Sequence, residues 1–431
     1  MKKITALLMA VVMCAITAVI TFQVTMISTD RFVGESGTVV TAPAGESDLA
    51  KYIDGTYITE ELLNKLREVA KIYDLYYVDP IDPDYFTEYI MAGFIAGAKD
   101  QFGQYMNAEA FAENDADMSG EYCGIGVSVL YSSSYTGIEV ITVFPDSPAM
   151  EAGVLPGDLI MTVNGTPVSE LGYLEAVNLM RGEEGTLATF TVYRGPNYSE
   201  EVSFSIPRRK VTEMTVSWEM YSKAKDVAVI KIYSFDDKTP VQFFSAINSA
   251  LSAGAKGFVF DVRSNPGGGL NSVCEILDFL LPEGPIIRID YKGETRDTSI
   301  NSGASYFDFP SVVLCNEYTA SAGELFSSAM QDYGMAKLVG VTTYGKGTMQ
   351  TIIELSDGSG VSVTCAYYLP PKSPNYHGVG VVPDVVVEMP EEYASTHLDK
   401  LTDDQDIQLQ AAVATLFEAM DSSNKGDGTL T

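Results

Sequence analysis

The sequence predicts a multidomain α+β protein, on three observations. Residues 58–119 carry apolar side chains at helical spacing, residues 120–210 run through short strands and turns, and residues 211–389 alternate strands with helices. At 431 residues and 46% hydrophobic content, the chain has enough apolar surface for several packed cores.

The run from Ile4 to Ile27 carries no charge and follows Lys2 and Lys3. At about 1.5 Å per residue it spans roughly 36 Å, enough to cross a bilayer. We expect residues 1–29 to form a single-pass signal anchor at the cell membrane, with the body of the chain on the extracytoplasmic side by the positive-inside rule. A cleaved signal peptide is the rival reading. Residues 30–57, rich in Gly, Ser, Thr and Asp, suit a flexible stalk. In the small helical domain at 58–119, Leu62, Leu66, Val69 and Tyr73 recur behind a Thr59 cap, and Tyr85, Tyr89, Ile90 and Phe94 repeat the pattern. Its functional reading is a homo-oligomer contact.

Strand signals begin at Cys123 with CGIGVSVLY and GIEVITVF. A Pro156-Gly157 turn, an Asn164-Gly165 hairpin, a helix at 170–181 and two closing strands follow. Beyond residue 211, VAVIKIYSF and GFVFDVR are continuous apolar strands of the kind buried on both faces, separated by the helical VQFFSAINSALSAG. SVVLCN leads into the helical AGELFSSAMQDYG, and IIELSDG with GVSVTCAYYL reads as a hairpin. Residues 390–431 hold one helix and a polar tail.

Composition excludes several functions. A net charge of -31 repels phosphate backbones, so no nucleic-acid partner is expected. The five cysteines show no paired spacing and read as small apolar side chains. With His377 and His397 the only histidines, a zinc site or a Cys/His nucleophile is short of ligands and bases, so neither metal nor other cofactor is expected.

Ser321 stands in NEYTASAGELF, where an apolar strand gives way to a helix. Its hydroxyl there lies beside helix N-terminal N–H groups able to stabilise an oxyanion, but Ser321-Ala-Gly-Glu324 is equally a capping box. Lys346, between two glycines in TTYGKGTMQ, reads either as a general base whose pKa burial lowers from about 10.4, or as an exposed lysine in a turn. Gln350, four residues on, can accept a hydrogen bond from the ammonium. Gly267, Gly268 and Gly269 in FDVRSNPGGGL make a loop able to approach a substrate closely and donate to an oxyanion. A phosphate loop competes with that reading, although neither GxGxxG nor GxxxxGK is present. Gly124 and Gly126 flank Ile125 at a strand start, the form of a nest for a terminal carboxylate or simply a glycine-flanked strand.

Taken together, these segments resemble the carboxyl-terminal processing (tail-specific) serine protease family, from about residue 60 to 415. GIGV, DSPAMEAGVLPGDLIMTVNG and RGEEGT resemble its PDZ domain, and NPGG at 265–268, TASAGE at 319–324 and GKGTMQ at 345–350 resemble its core motifs. The resemblance implies a PDZ domain over 120–210 and a crotonase-like α/β (β-β-α) protease core over 211–389. It implies Ser321 as nucleophile, Lys346 as base, Gln350 as the lysine's orienting partner, and oxyanion N–H groups from Ala322 and from Gly267 or Gly268. It further implies that Gly124, Ile125, Gly126 and Val127 bind the C-terminus of a protein or peptide substrate. Thr319 and Gly323 depart from the small serines usual in the motif. A Ser/His/Asp triad would have only His377 or His397 to draw on. The alternatives are a non-catalytic, membrane-anchored PDZ scaffold and a carrier of small apolar ligands on the same core.

Overall fold

The computed structural model describes residues 57–426, apart from 133, 292–297, 304–306 and 394–395. The chain forms two compact units, one of residues up to Glu109 with Gln350–Thr364, the other of Ala110–Met349 with Cys365 onward.

In the first unit, Thr59 caps α1 (Glu60–Tyr76) by accepting a hydrogen bond from the Leu62 N–H at 3.1 Å, and Glu60 and Glu61 face the positive end of the helix dipole. α2 (Pro83–Ala98) follows, and β1 (Gln104–Met106) pairs antiparallel with Gly360–Ser362. Helices therefore form where the spacing predicts them. No described residue of either helix is buried, however, and Leu62, Leu66, Val69, Tyr73, Tyr85, Tyr89 and Phe94 are exposed.

The expected membrane location is corrected by the same helices. Among the described residues no helix is long and apolar enough to cross a membrane. α2 is apolar but has 16 residues, about 24 Å against the roughly 30 Å of a hydrocarbon core. α10 (Ile407–Gly426) has 20 residues but carries Gln408, Gln410, Glu418 and Asp421. The single-pass anchor at 1–29 falls, with most of the 30–57 stalk, outside the described residues.

In the second unit, α3 (Ala108–Ser119) leads to β2 (Glu121–Gly124) and a sheet of β3 (Val127–Ser132), β4 (Gly137–Val143), β5 (Leu159–Val163), β7 (Leu187–Arg194) and β8 (Glu200–Pro207), in that order, with β6 (Thr166–Pro167) beside β5. β9 (Arg209–Thr212) returns to pair with β2. α4 (Pro148–Ala152), α5 (Val168–Leu171) and α6 (Tyr173–Met180) pack on this sheet around Ile138, Ile160, Ala176, Phe190 and Ile206. The single helix expected at 170–181 is divided, because Gly172 takes φ 78°, ends α5 and lets α6 start in a new direction.

A second sheet runs β10 (Val216–Met220), β11 (Val227–Ile232), β12 (Gly257–Asp261), β15 (Ser311–Cys315), β16 (Ala336–Gly340) and β19 (Val385–Val386). β10 is antiparallel to β11 and the remaining pairs are parallel. Alternate residues of its central strands reach opposite cores. Ala228, Ile230, Phe258, Phe260 and Val313 meet α7 (Thr239–Ser252), α8 (Leu270–Leu280) and α9 (Ala322–Asp332), while Val227, Val229, Val259, Val312 and Leu314 meet Leu409, Ala412, Val413 and Leu416 of α10. The apolar runs are continuous because both faces are covered. β13 (Gly284–Tyr291) pairs with β14 (Thr298–Ser302), and with the Ala366–Leu369 end of β18 (Gly360–Leu369), which follows β17 (Thr348–Glu354).

Candidate active site

Ser321 lies at the carboxyl end of the second sheet, between β15 and α9. Its φ of 53° is in the left-handed region, which costs a non-glycine residue on the order of 1–3 kcal/mol unless neighbours impose it. They do. The Ala320 N–H donates to the Asn265 carbonyl at 2.9 Å, the Thr319 hydroxyl to the Val262 carbonyl at 2.8 Å, and the Tyr344 N–H to the Thr319 carbonyl at 3.0 Å. The Ser321 N–H donates to Glu324 Oε2 at 2.9 Å, which is the capping-box half contributed by the glutamate.

Glu324 does more than cap the helix. Its side chain is fully buried and accepts four hydrogen bonds, from the Ser321 N–H, the Thr343 hydroxyl at 2.5 Å, the Gly345 N–H at 2.6 Å and the Lys346 N–H at 2.7 Å. Ser321 and Lys346 thus hold their backbone nitrogens within 2.9 Å of one and the same oxygen atom. Sequence reasoning brought these two residues together by motif and missed the carboxylate that joins them. The signal was present in the capping-box glutamate, which an isolated helix start would leave exposed.

The Lys346 side chain is half-buried, and burial lowers its pKa below the ordinary lysine value, with the Glu324 charge pulling the other way. Its carbonyl accepts from the Tyr368 hydroxyl at 2.6 Å, and the Tyr376 hydroxyl stands 3.5 Å from the Ser321 carbonyl. The two tyrosines pack edge to face with ring centres 5.8 Å apart, and burial pushes both phenols above their usual range. They remain neutral donors beneath the site. Gln350 lies on β17, where its amide donates to the Thr364 hydroxyl at 3.2 Å, which in turn donates to Asp100 at 2.7 Å.

Among the glycines, Gly267 has φ 109°, and a Cβ there would come 2.7 Å from the Ser321 Cβ and 3.0 Å from the Ala322 nitrogen. Its lack of a side chain keeps open the space over the serine and over the first N–H of α9, an orphan donor at a helix start. The Gly267 N–H itself is directed at Asn265 Oδ1, at 2.8 Å. Phe235 clamps the loop by donating to the Gly267 carbonyl at 2.9 Å and accepting from the Gly269 N–H at 2.6 Å, which leaves the Gly268 N–H outside the hydrogen bonds among the described residues. His377 donates its backbone N–H to Asn375 and sets its ring against Tyr367 at 5.7 Å.

The remaining predicted site residues sit elsewhere in the second unit. Gly124 ends β2, Ile125 and Gly126 form the turn, and Val127 begins β3, the edge strand of the first sheet; with Val177 and Met180 of α6 they line a groove of about 200 Å³. At Gly126, φ is 81° and a Cβ would strike the Ser147 Cβ at 2.4 Å, so only glycine fits. The carbonyls of Cys123, Ile125 and Gly126 accept N–H groups from Gly182, Ala149 and Phe144. They are thereby turned into the module. Arg181 stands over the Tyr122 ring at 4.8 Å, at the same end of the groove.

Residues 226–387 match the peptidase family S41, and residues 139–194 match the PDZ domain. A protein named "Probable CtpA-like serine protease" from Staphylococcus aureus is 34% identical over 332 residues, 76% of this chain, and the chain spans 65% of that relative's length. Its counterpart from the bovine strain is 33% identical over 343 residues, 79% of this chain and 68% of the relative. The chain belongs to peptidase family S41. An S41 protease of Bacteroides fragilis shares the fold of this S41 chain, with a TM-score of 0.53 at 18% identity over 79% of this chain and 93% of the other. Of the residues singled out by motif in this S41 chain, Ser321 and Lys346 meet at Glu324.

Proposed function

We propose that the chain is a serine endopeptidase that cleaves C-terminal regions of protein substrates through a Ser321/Lys346 dyad, with a PDZ domain holding the substrate's C-terminus. The observation that carries this reading is the Glu324 carboxylate, which fixes the serine-bearing turn and the lysine-bearing loop through a single oxygen. In the proposed reaction the neutral Lys346 amine takes the Ser321 proton, and the alkoxide attacks a peptide carbonyl. The Ala322 and Gly268 N–H groups hold the oxyanion, the C–N bond breaks as the lysine gives its proton to the departing amine, and water then cleaves the acyl-serine ester, its proton passing through Lys346 back to Ser321. Gln350 orients the lysine. The lowered Lys346 pKa supports the base role, and the space kept by Gly267 supports the oxyanion site.

In this assignment residues 58–119 form an N-terminal helical domain that contacts a second copy, 120–210 the PDZ domain, 211–389 a protease core of the crotonase-like type, and 390–431 a C-terminal helix and tail. The exposed apolar residues of α1 and α2 support the contact between copies.

The test uses peptides that differ only in a free or amidated C-terminus, with Ser321→Ala as control. Free-acid peptides should be cleaved at least several-fold faster by the parent chain and not at all by the variant. Equal cleavage by both chains would refute the nucleophile, and equal rates for both peptides would remove the carboxylate from recognition.

A further inference from the structure

A glutamine amide has two ends of nearly the same shape and opposite polarity. Its oxygen only accepts hydrogen bonds and its nitrogen only donates them, so a glutamine that serves a lysine ammonium must be held the right way round. On the catalytic reading above, the Gln350 oxygen is the end that serves Lys346. β17 and β18 are paired, and across them the Gln350 nitrogen donates to the Thr364 hydroxyl oxygen at 3.2 Å. The direction of that bond is decided one residue further on. The Thr364 hydroxyl gives its single proton to Asp100 Oδ1 at 2.7 Å, and an ionised carboxylate only accepts. With that proton committed, Thr364 can offer Gln350 only a lone pair. The amide nitrogen must face it, and the amide oxygen must face away.

Asp100 is itself held firmly. It lies between α2 and β1, and the pairing of β1 with Gly360–Ser362 of β18 brings it to Thr364. Its Oδ1 also accepts from the Phe102 N–H at 3.1 Å, which closes a local turn, while its Oδ2 accepts from the Thr364 N–H at 2.8 Å. A turn alone would need only the first of these bonds. The two from Thr364 fix the carboxylate to a residue 264 positions later in the chain. Burial pushes the Asp100 carboxyl up, but the hydrogen bonds it accepts from Thr364, Phe102 and Gly103 more than offset this and hold it below the usual carboxylate range. It stays ionised at working pH.

We infer that Asp100 and Thr364 are positioning residues that set the orientation of the Gln350 amide, with Asp100 fixing the direction in which the Thr364 hydroxyl donates. This inference rests on the catalytic reading of Gln350. Asp100, Gln350 and Thr364 all belong to the first unit, so the unit that carries the N-terminal helices also sets the orienting partner of the base.

The experiment measures turnover of a free-acid peptide against pH by the full chain, unmodified and carrying Gln350→Ala, Thr364→Val or Thr364→Ser. Valine keeps the branched shape that suits a strand and removes the hydroxyl, so the amide is released to turn. Thr364→Val should lower kcat roughly 10- to 100-fold with KM little changed, the range of one hydrogen bond to a charged group. The rise of its turnover with pH should move to lower pH, because an ammonium that loses an acceptor gives up its proton more readily. Gln350→Ala should behave in the same way, and Thr364→Val added to it should cost nothing more. Thr364→Ser keeps the hydroxyl and should recover most of the turnover with the parent's pH profile. Asp100→Asn should lower turnover beside Thr364 and have little effect beside Thr364→Val.

A Thr364→Val chain with the parent's pH profile would overturn the inference, since a merely weakened fold leaves the ionisation of the base in place. Additive losses in the Thr364→Val, Gln350→Ala double variant would overturn it as well. Equal losses from Asp100→Asn with and without Thr364→Val would confine Asp100 to its turn, and if that variant does not fold, the valine and serine variants at 364 decide. Failure of the catalytic reading has a separate sign. In that case Gln350→Ala itself matches the parent in turnover and in pH profile.

Discussion

At position 319 a threonine replaces the serine usual in the motif, and at 323 a glycine replaces a small side chain. The side chain of residue 319 bonds through its hydroxyl, which donates to the Val262 carbonyl and accepts from the Asn316 N–H, so either residue would serve there. The extra methyl crowds position 323. A Cβ at 323 would lie 3.1 Å from Thr319 Cγ2 and 3.2 Å from the Asn265 carbonyl. The two departures are therefore one substitution made in two places. Gly323→Ser alone should lower stability by about 1–3 kcal/mol through overpacking, and Thr319→Ser should restore part of it in the double variant, as measured by chemical denaturation. Strictly additive effects would break the link. At Lys346 the shift is downward, so the amine is neutral at a lower pH than an ordinary lysine, and turnover should rise with pH through a single ionisation below about 10.4. Lys346→Arg keeps the charge but cannot give up its proton, so a folded variant should lose turnover by at least about 1,000-fold, with Gln350→Ala in between. Substantial turnover by the arginine variant would point back to His377.

At the scale of elements, the order of strands and helices was legible because each signal was local: an Asn-Gly hairpin, a capped helix start, a run of β-branched residues buried on two sides. The role of α10 was not. Read alone it looked like one helix ahead of a polar tail, yet it covers a face of the second sheet. What seats it is a buried cluster with partners 143 residues apart in sequence. The Arg263 guanidinium binds Asp261 at 2.7 Å and Asp406 at 2.7 and 2.9 Å, and Asp406 also caps α10 through the Leu409 N–H. Such a pairing leaves no periodic trace. Asp406→Ala should destabilise the fold by about 3–5 kcal/mol, since it strands a buried guanidinium, whereas exposed Asp404→Ala, which loses only a surface pair with Lys223, should change little. Equal effects in thermal melts would refute the assignment. Burial pushes the Asp261 carboxyl up, but Arg263 more than offsets this and holds it below the usual carboxylate range. Its contribution is full above about pH 4 and disappears as pH falls through the native value, so acid should weaken the Asp261–Arg263 pair and lower the stability of the fold.

For the molecule as a whole, motif and family were readable in one sequence, since NPGG, TASAGE and GKGTMQ each keep their spacing. The geometry that unites them was not, because Glu324 reaches across 22 residues to Lys346 and looks like an ordinary cap until the fold closes. Burial was misjudged in the opposite sense at 58–98, where helical spacing predicted a packed domain and the side chains are exposed. Periodicity reports which residues share a face, and not what covers that face.

The position of α10 in the chain also sets an order of events during synthesis. A ribosome makes every strand of the second sheet before the helix that seals its outer face, so Val227, Val229, Val259, Val312 and Leu314 stay wet while Ser321 and Lys346 are already outside the exit tunnel. The residues proposed for catalysis are therefore all made before their scaffold is finished. Until residue 406 has emerged, the Arg263 guanidinium lacks one of its two buried carboxylate partners, so the outer face of the second sheet closes last.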